Sequence, residues 1–287
     1  MCGAEALFNA HFFSSGRLCL SRTVVGGRLA ALAAGFVLLG ANRDPGEAVA
    51  VRFPEGITHG FLTVSTLDGK KLGDGDVIQT ARGDQVTNRT VLQFKDGSVQ
   101  EETVVYSQKG RFQLVSDHLT QKGPSFPQPL ELSVDVPRGL VTVRYAENGA
   151  LKVVREQMEL PPDLANGIVP NVIKNTSGAA VTVVSMVVAG PKPRLVKLRI
   201  APSGEEPFSV GILSKKAVKY VVHVELGGAA GVVAPLIGKQ PPDTFVWVLG
   251  GDAPTFVKSE GPFFADGPSW RQEFASPTWP GATSPGP

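Results

Sequence analysis

The stretch LELSVDVPRGLVTVRYAENGALKVVREQ, Leu130–Gln157, decides the fold class. Leu130, Leu132, Val134 and Val136 alternate with Glu131, Ser133 and Asp135. Val141, Val143 and Tyr145 alternate with Thr142 and Arg144. Successive side chains of a strand point to opposite faces, so each run carries one apolar and one wet side. Asn148-Gly149 separates VTVRYAE from ALKVVRE and supplies the positive φ that a two-residue hairpin needs. The stretch therefore reads as hairpin-linked antiparallel strands.

The same pattern extends in both directions. Asp96-Gly97 separates a strand ending near Phe94 from one starting near Val99. Val196, Leu198 and Ile200 alternate with Lys197 and Arg199, and Tyr220, Val222, Val224 and Leu226 share a face opposite His223 and Glu225. Asp68-Gly69, Gly73-Asp74-Gly75 and Gly250-Gly251-Asp252 read as further turns. About a dozen strands result, the first near 57–66, others at 76–82 and 194–201, the last at 254–259. Helical turns fit in two places, Asp163–Lys174 after Pro161-Pro162 and Ala229–Ile237, where Pro235 limits the length. The expected fold is mainly β, a large antiparallel curved sheet or incomplete barrel with one or two short helices; a β-sandwich is the alternative. Residues 51–275 form one domain in this reading, with a division near 160 as the alternative, and 276–287 form a loose Pro/Gly/Ser tail.

The first fifty residues are different. Arg17, Arg22 and Arg28 precede the apolar run Leu29–Ala41, which falls short of the roughly 20 apolar residues of a membrane-spanning helix. A basic flank, a short apolar run and a later small-x-small site describe a secretory signal. Ala48-Val49-Ala50 is the better cleavage site and would leave Val51 first; a site after Ala41 suffers from Leu39. Residues 1–50 are thus expected to be a signal peptide, or alternatively an N-terminal anchor, and the protein to be periplasmic or extracellular. Both cysteines, Cys2 and Cys19, precede the apolar run, so an exported chain would hold no disulfide, thiolate metal site or Cys nucleophile.

Composition narrows the chemistry. The 28 Lys+Arg against 26 Asp+Glu give a net charge of +2, which removes the electrostatic case for a nucleic-acid partner. Lys152, Arg155, Lys197, Arg199 and Lys219 fall singly along the strands and read as a solvated face. There is no G-x-S-x-G elbow and no H-E-x-x-H pair. His59, His118 and His223 stand far apart in sequence, and Asp117-His118 has no spacing that specifies a triad. Asn88-Arg89-Thr90 and Asn175-Thr176-Ser177 matter as glycan acceptors only in a eukaryotic secretory route. Asp74, Asp76 and Glu101-Glu102 lack the spacing of a calcium loop. No metal, cofactor or catalytic residue is expected.

Two strands are apolar on both faces, Val181–Val188 and Phe245–Leu249, and must be covered on both sides. If one of them lines an apolar ligand cavity, Met186, Phe245 and Trp247 are the natural wall residues. The stretch Pro241–Phe274 packs Trp247, Phe256, Phe263, Phe264 and Trp270 among prolines and glycines, a composition suited to sealing the end of a barrel or covering a cavity mouth.

The order of these parts is an export signal, a long meander with the Asp96-Gly97 and Asn148-Gly149 hairpins, the short piece Pro161–Pro170, and then further strands. It resembles the open half-barrels of secreted bacterial lipoprotein carriers and receptors. The resemblance implies a curved sheet whose concave side accepts an acyl chain or a hydrophobic partner, and it implies no particular functional residue. The leading expectation is a non-enzymatic envelope protein that binds an apolar ligand, a lipid or a lipidated partner. A structural or protein-interaction module of the envelope is the first alternative, and a hydrolase with an unrecognised site the second. Binding requires a large cavity open to solvent, whereas a core filled throughout by side chains leaves only the structural role.

Overall fold

The computed structural model describes residues 46–147, 149–176, 180–226, 240–275 and 277–278. The apolar run Leu29–Ala41 and the Ala229–Ile237 turn lie outside the described residues, as does the tail from 279 on.

One antiparallel meander runs through β1 (Thr58–Thr66), β2 (Lys71–Arg82), β3 (Gln85–Phe94), β4 (Val99–Ser107), β5 (Gln113–Lys122), β6 (Leu130–Asp135), β7 (Leu140–Glu147) and β8 (Ala150–Gln157). After the helix α1 (Val169–Asn175), a second runs through β9 (Thr182–Val188), β10 (Arg194–Val210), β11 (Leu213–Glu225), β12 (Thr244–Leu249), β13 (Thr255–Pro262) and β14 (Ser269–Phe274). Antiparallel pairing of β1 with β14 splices the two meanders into one 15-stranded sheet among the described residues. Strands before and after residue 160 therefore share a sheet. The sheet is not closed: β8 ends one side, and β9 with the two-residue β15 (Pro277–Thr278) flanks β10 on the other.

The expected mainly β, curved and incomplete barrel is what forms. The largest core cluster joins Val86, Val104, Val134 and Val143 of the first meander to Val184, Leu198, Val222 and Val246 of the second, with Ile168, Val172 and Ile173 between them. Inward faces of two distant arms meet in one cluster only if the sheet curls round upon itself, with α1 and its lead-in inside the curl. A second cluster, Leu62, Val64, Leu92, Phe94, Phe126 and Trp270, with Phe263 and Phe264 packed against it, holds the splice between the meanders. Its rings meet at 5–6 Å, as Phe94 with Phe126 at 5.3 Å and Phe263 with Trp270 at 5.2 Å. Phe263, Phe264 and Trp270 of the aromatic-rich stretch pack in this cluster, whereas Trp247 belongs to another.

Three details depart from the sequence reading. Gly73-Asp74-Gly75 is not a turn but lies inside β2. A Cβ at Gly75 would stand 2.5 Å from Leu92 Cδ2 and 2.7 Å from the Val91 carbonyl, so glycine serves close approach here rather than chain reversal. The strand expected at 194–201 continues to Val210 across Pro202-Ser203-Gly204, where the register shifts in a bulge. Ser269–Phe274, unassigned in the sequence, is the strand that receives β1.

The edge at β9 is covered. Ala165 N–H donates to the Ser185 carbonyl (2.8 Å), Ser185 N–H to the Asp163 carbonyl (3.1 Å), and Val187 N–H to Asn166 Oδ1 (2.8 Å). Ser185 Oγ donates to Asp163 Oδ1 (2.7 Å), and Lys197 Nζ donates to both Ser185 Oγ (2.7 Å) and Asp163 Oδ2 (3.1 Å). The segment Asp163–Asn166 thus blocks the backbone that an edge strand would offer to another chain. Replacing Asp163 by Ala leaves the buried Ser185 hydroxyl without its acceptor and the Lys197 ammonium without its carboxylate. We expect Asp163→Ala to lower unfolding stability by about 2–3 kcal/mol, read as a shift of the urea midpoint at constant slope.

Candidate functional site

The register of the first meander sets rows of side chains across the inner face. Gly60, Val77, Thr90, Glu102 and Leu119 oppose one another in sequence across β1 to β5. The adjacent row runs Gln79, Asn88, Val104, Asp117 and Val134. Each strand is apolar at one part of its inner face and polar at another. Over the main core it presents Val86, Val104 and Val134; between that core and the aromatic cluster it presents amides, a hydroxyl and carboxyls.

Where the polar positions lie, the interior is hollow. A space of about 880 Å³ opens between β1–β4, the strap 52–55, the lead-in to α1, and the turn before β13. Leu62, Val77, Phe256 and Phe274 give it one apolar wall, and Phe53 and Val169 extend that surface. Asn88, Thr90, Gln100, Glu102, Ser259 and Gln272 form the polar side. Exposed residues at its mouth include Arg52, His59 and Asp252. A second hollow of about 240 Å³, which reaches Phe263 and Gln121, shares Gln100, Glu102, Ser259 and Gln272 with the first. Glu102 therefore stands at the junction of two hollows. The volume falls within the range of small-molecule sites, roughly 300–1,000 Å³.

A chain of hydrogen bonds holds the helix side of the hollow. Asn171 Nδ2 donates to Tyr106 Oη (3.2 Å), and Gln79 Nε2 donates to the Gly56 carbonyl (3.0 Å) and Glu55 Oε2 (3.2 Å). Glu55 pairs with Lys174 at 2.5 Å, both largely buried. Asn175 Oδ1 accepts from the backbone N–H of Arg52 (2.7 Å) and Phe53 (2.8 Å). The helix is short, so its position depends on these bonds and on Val172 and Ile173 beneath it.

The electrostatics of the floor are unusual. Burial pushes the Glu102 carboxyl up to about 7. Asp117, 2% exposed, is raised well above the usual carboxylate range by burial and then by the neighbouring Glu102 charge, against one N–H from His118. Asp117 Oδ1 and Asn88 Oδ1 are buried without a hydrogen-bond partner. Among the described residues, no group of three His, Cys, Asp or Glu side chains could hold a metal ion.

The three residues proposed as ligand wall lie elsewhere. Phe245 and Trp247 meet at a ring distance of 6.2 Å, but their cluster contains Phe208, Ala217 and Val257, on the face of β12 opposite Val246 and Val248. Lys258 Nζ lies 4.0 Å above the Trp247 ring, and Lys219 Nζ lies 4.5 Å above Phe245. Met186 packs against the main cluster. None of the three lines the hollow described above. The doubly apolar strands are covered on both sides, as their composition requires.

The histidines do not assemble a triad there either. His59 meets Asp76 at 2.8 Å and His223 meets Asp243 at 2.6 Å, all four about half exposed. His118 is exposed. The Ser185–Asp163–Lys197 cluster has the residue types of a nucleophile with a base, and Ser185 and Lys197 line a hollow of about 510 Å³ beside β9. Lys197 donates to Asp163, however, and an ammonium held by a carboxylate is not a base. The cluster secures the edge.

No protein-family description and no characterised protein matches the sequence. Among solved structures, the fold is similar to a β-barrel-like protein of the domain of unknown function DUF1849 from Brucella abortus, with 10% identity and a TM-score of 0.41. The match covers 80% of this chain and 99% of that one.

The acid pair has a consequence for stability. A carboxyl whose folded pKa is raised binds more protons folded than unfolded between its ordinary value of 4.5 and about 7. Its contribution to stability therefore falls as pH rises through that window and is level above it. Glu102→Gln removes this cost. We expect the variant to match the parent near pH 4 and to exceed it by about 2–3 kcal/mol at pH 8, measured by urea unfolding at both values.

Proposed function

We propose that this chain is an exported, non-enzymatic binding protein of the cell envelope that takes an apolar ligand, a lipid or a lipidated partner, into the hollow of its curled sheet. The observation that carries the reading is the 880 Å³ space with an apolar wall of Leu62, Val77, Phe256 and Phe274. Close packing is the rule in protein interiors, and open space of this size is retained against the stability that filling it would add. Export is supported by the basic and apolar pattern of residues 17–50.

The geometry also bears on the export cut. Ala48 and Val49 are 3% and 2% exposed, and Val49 belongs to the main core. Phe112 N–H donates to the Val49 carbonyl (2.9 Å), Arg111 Nη1 to the Ala48 carbonyl (2.8 Å), and Arg111 pairs with Glu47 (2.5 Å). Cleavage after Ala50 would strip these contacts from the hairpin between β4 and β5, whereas the site after Ala41 keeps them. We expect N-terminal sequencing of the envelope form to begin before Glu47; a start at Val51 would reject this placement.

Native mass spectrometry of protein purified from its own envelope tests the binding reading. An apolar adduct is expected on the parent and lost in Val77→Trp, which fills the hollow from β2. Protein that carries no adduct, and takes up no chain-bearing amphiphile after purification, defeats the reading.

A second reading, an interaction module, has one observation in its favour. β8 is an eight-residue strand at the free end of the sheet, with Leu151 73% and Val153 45% exposed. Strand addition there predicts association that grows with concentration in analytical ultracentrifugation. A strictly monomeric parent removes it.

A further inference from the structure

The polar side of the hollow carries neutral amides and hydroxyls, and its charge is acidic at Glu102. Among the described residues, three side-chain oxygens on or behind it are buried without a hydrogen-bond partner, Glu55 Oε1, Asn88 Oδ1 and Asp117 Oδ1; all are acceptors, and of the three Glu55 Oε1 faces the Lys174 ammonium. Glu102, at the junction of the two hollows, is an acceptor when ionised, and the charge that neighbours it across the strands is Asp117, another acid. The remaining charged groups around the space are committed or peripheral. On α1, Lys174 is held by Glu55 of the strap, and on β1, His59 is held by Asp76. Arg52 and Asp252 are exposed at the mouth. From β2, β3, β13 and β14 the groups that face inward are neutral: Gln79, Asn88, Thr90, Ser259 and Gln272. Gln100 Oε1 already accepts from Gln121 Nε2 at 2.8 Å.

Buried acceptors without donors are costly, and buried carboxylates without a cation more so. A ligand that brings several N–H donors and a positive charge answers both deficits. A ligand headed by a carboxylate or phosphate worsens both by placing like charge against Glu102. We propose that the ligand of this hollow is an amphiphile with a primary ammonium head, seated so that Glu102, with Asp117 behind it, supplies the counter-charge, while its chain lies along Leu62, Val77, Phe256 and Phe274. This inference rests on the apolar-ligand reading above and names the head group that reading leaves open.

Three probes of equal chain length separate the two claims: dodecylamine, dodecanol and dodecanoate, titrated calorimetrically into the delipidated protein at pH 8. Dodecylamine is expected to bind about ten-fold tighter than dodecanol, and dodecanoate weakest. Amine affinity should rise between pH 5.5 and 8 as Glu102 ionises, while dodecanol affinity stays level. In Glu102→Gln the amine should lose most of its advantage with dodecanol unaffected, and Asp117→Asn should reduce the advantage in part; circular dichroism checks that both variants fold. An amine advantage below about five-fold in the parent, equal or tighter binding of dodecanoate, or an undiminished amine preference in a folded Glu102→Gln overturns the inference while leaving the apolar-ligand reading intact. Binding of none of the three defeats that reading and this inference together. The parent's preference alone decides the matter if the variants do not fold.

Discussion

A sheet of this length has an inner face too large to leave wet, and its chain must travel from β8 at one end to β9 at the other. Both demands are met by one segment. Residues 158–176 of this connection lie on the concave side, so the connection itself becomes the filling on which the two arms close. Leu164, Ala165, Ile168, Val172 and Ile173 are all within 2% of full burial, and they belong to the same cluster as residues from both meanders. Remove that apolar insert and the arms have nothing to close upon. The β1–β14 splice, the curl and the hollow all depend on it.

The segment solves an edge problem as well. Antiparallel sheets that do not close leave two unpaired strands, each a template for another chain. At β9 the insert supplies hydrogen bonds from Asp163, Ala165 and Asn166, partly through side chains, which tolerates a chain that only runs past. At β8 no segment among the described residues does this, and the strand carries Lys152, Arg155 and Glu156. Charge is the weaker device, because it discourages addition without occupying the hydrogen bonds.

Most of this was legible in the sequence because strand period and turn chemistry are local. Val141, Val143 and the Asn148-Gly149 turn announce themselves without reference to the rest of the chain. What escaped was set by partners distant in sequence. Ser269–Phe274 has little alternation of its own and is a strand because β1 lies beside it. Gly75 punctuates a turn as often as it permits close contact, and only Leu92 decides between these roles. Met186, Phe245 and Trp247 are bulky and apolar on strands covered on both sides, and the sequence does not say which of the two faces encloses space. The hollow's polar residues did leave a signal, in parity. Val104 and Tyr106 fix which side of β4 faces inward, and Gln100 and Glu102 share that parity; Val86 and Leu92 do the same for Asn88 and Thr90 on β3. Inward parity with polar identity over neighbouring strands marks an interior that is not a core.

That conjunction bears on what the fold is for. The interior is divided: on one side of the insert it is packed with aliphatic side chains, and toward the aromatic cluster, where Gly167, Val169 and Asn171 of the insert line the hollow, the same strands turn polar and the space stays open. If stability alone shaped this chain, the open part would be filled with more Val and Leu, since a filled apolar core is easier to fold and better satisfied than one holding Glu102 and Asp117. Buried carboxyls at an open junction, with acceptors left unpaired beside them, are a cost borne by the free protein. Protonation relieves part of that cost, and a cation entering the hollow would relieve it with the carboxyls ionised. The same carboxyls that weaken the empty protein as pH rises are the ones to which the proposed head-group preference is assigned, so the instability and that selectivity would share an origin in the inward-facing positions of β4 and β5.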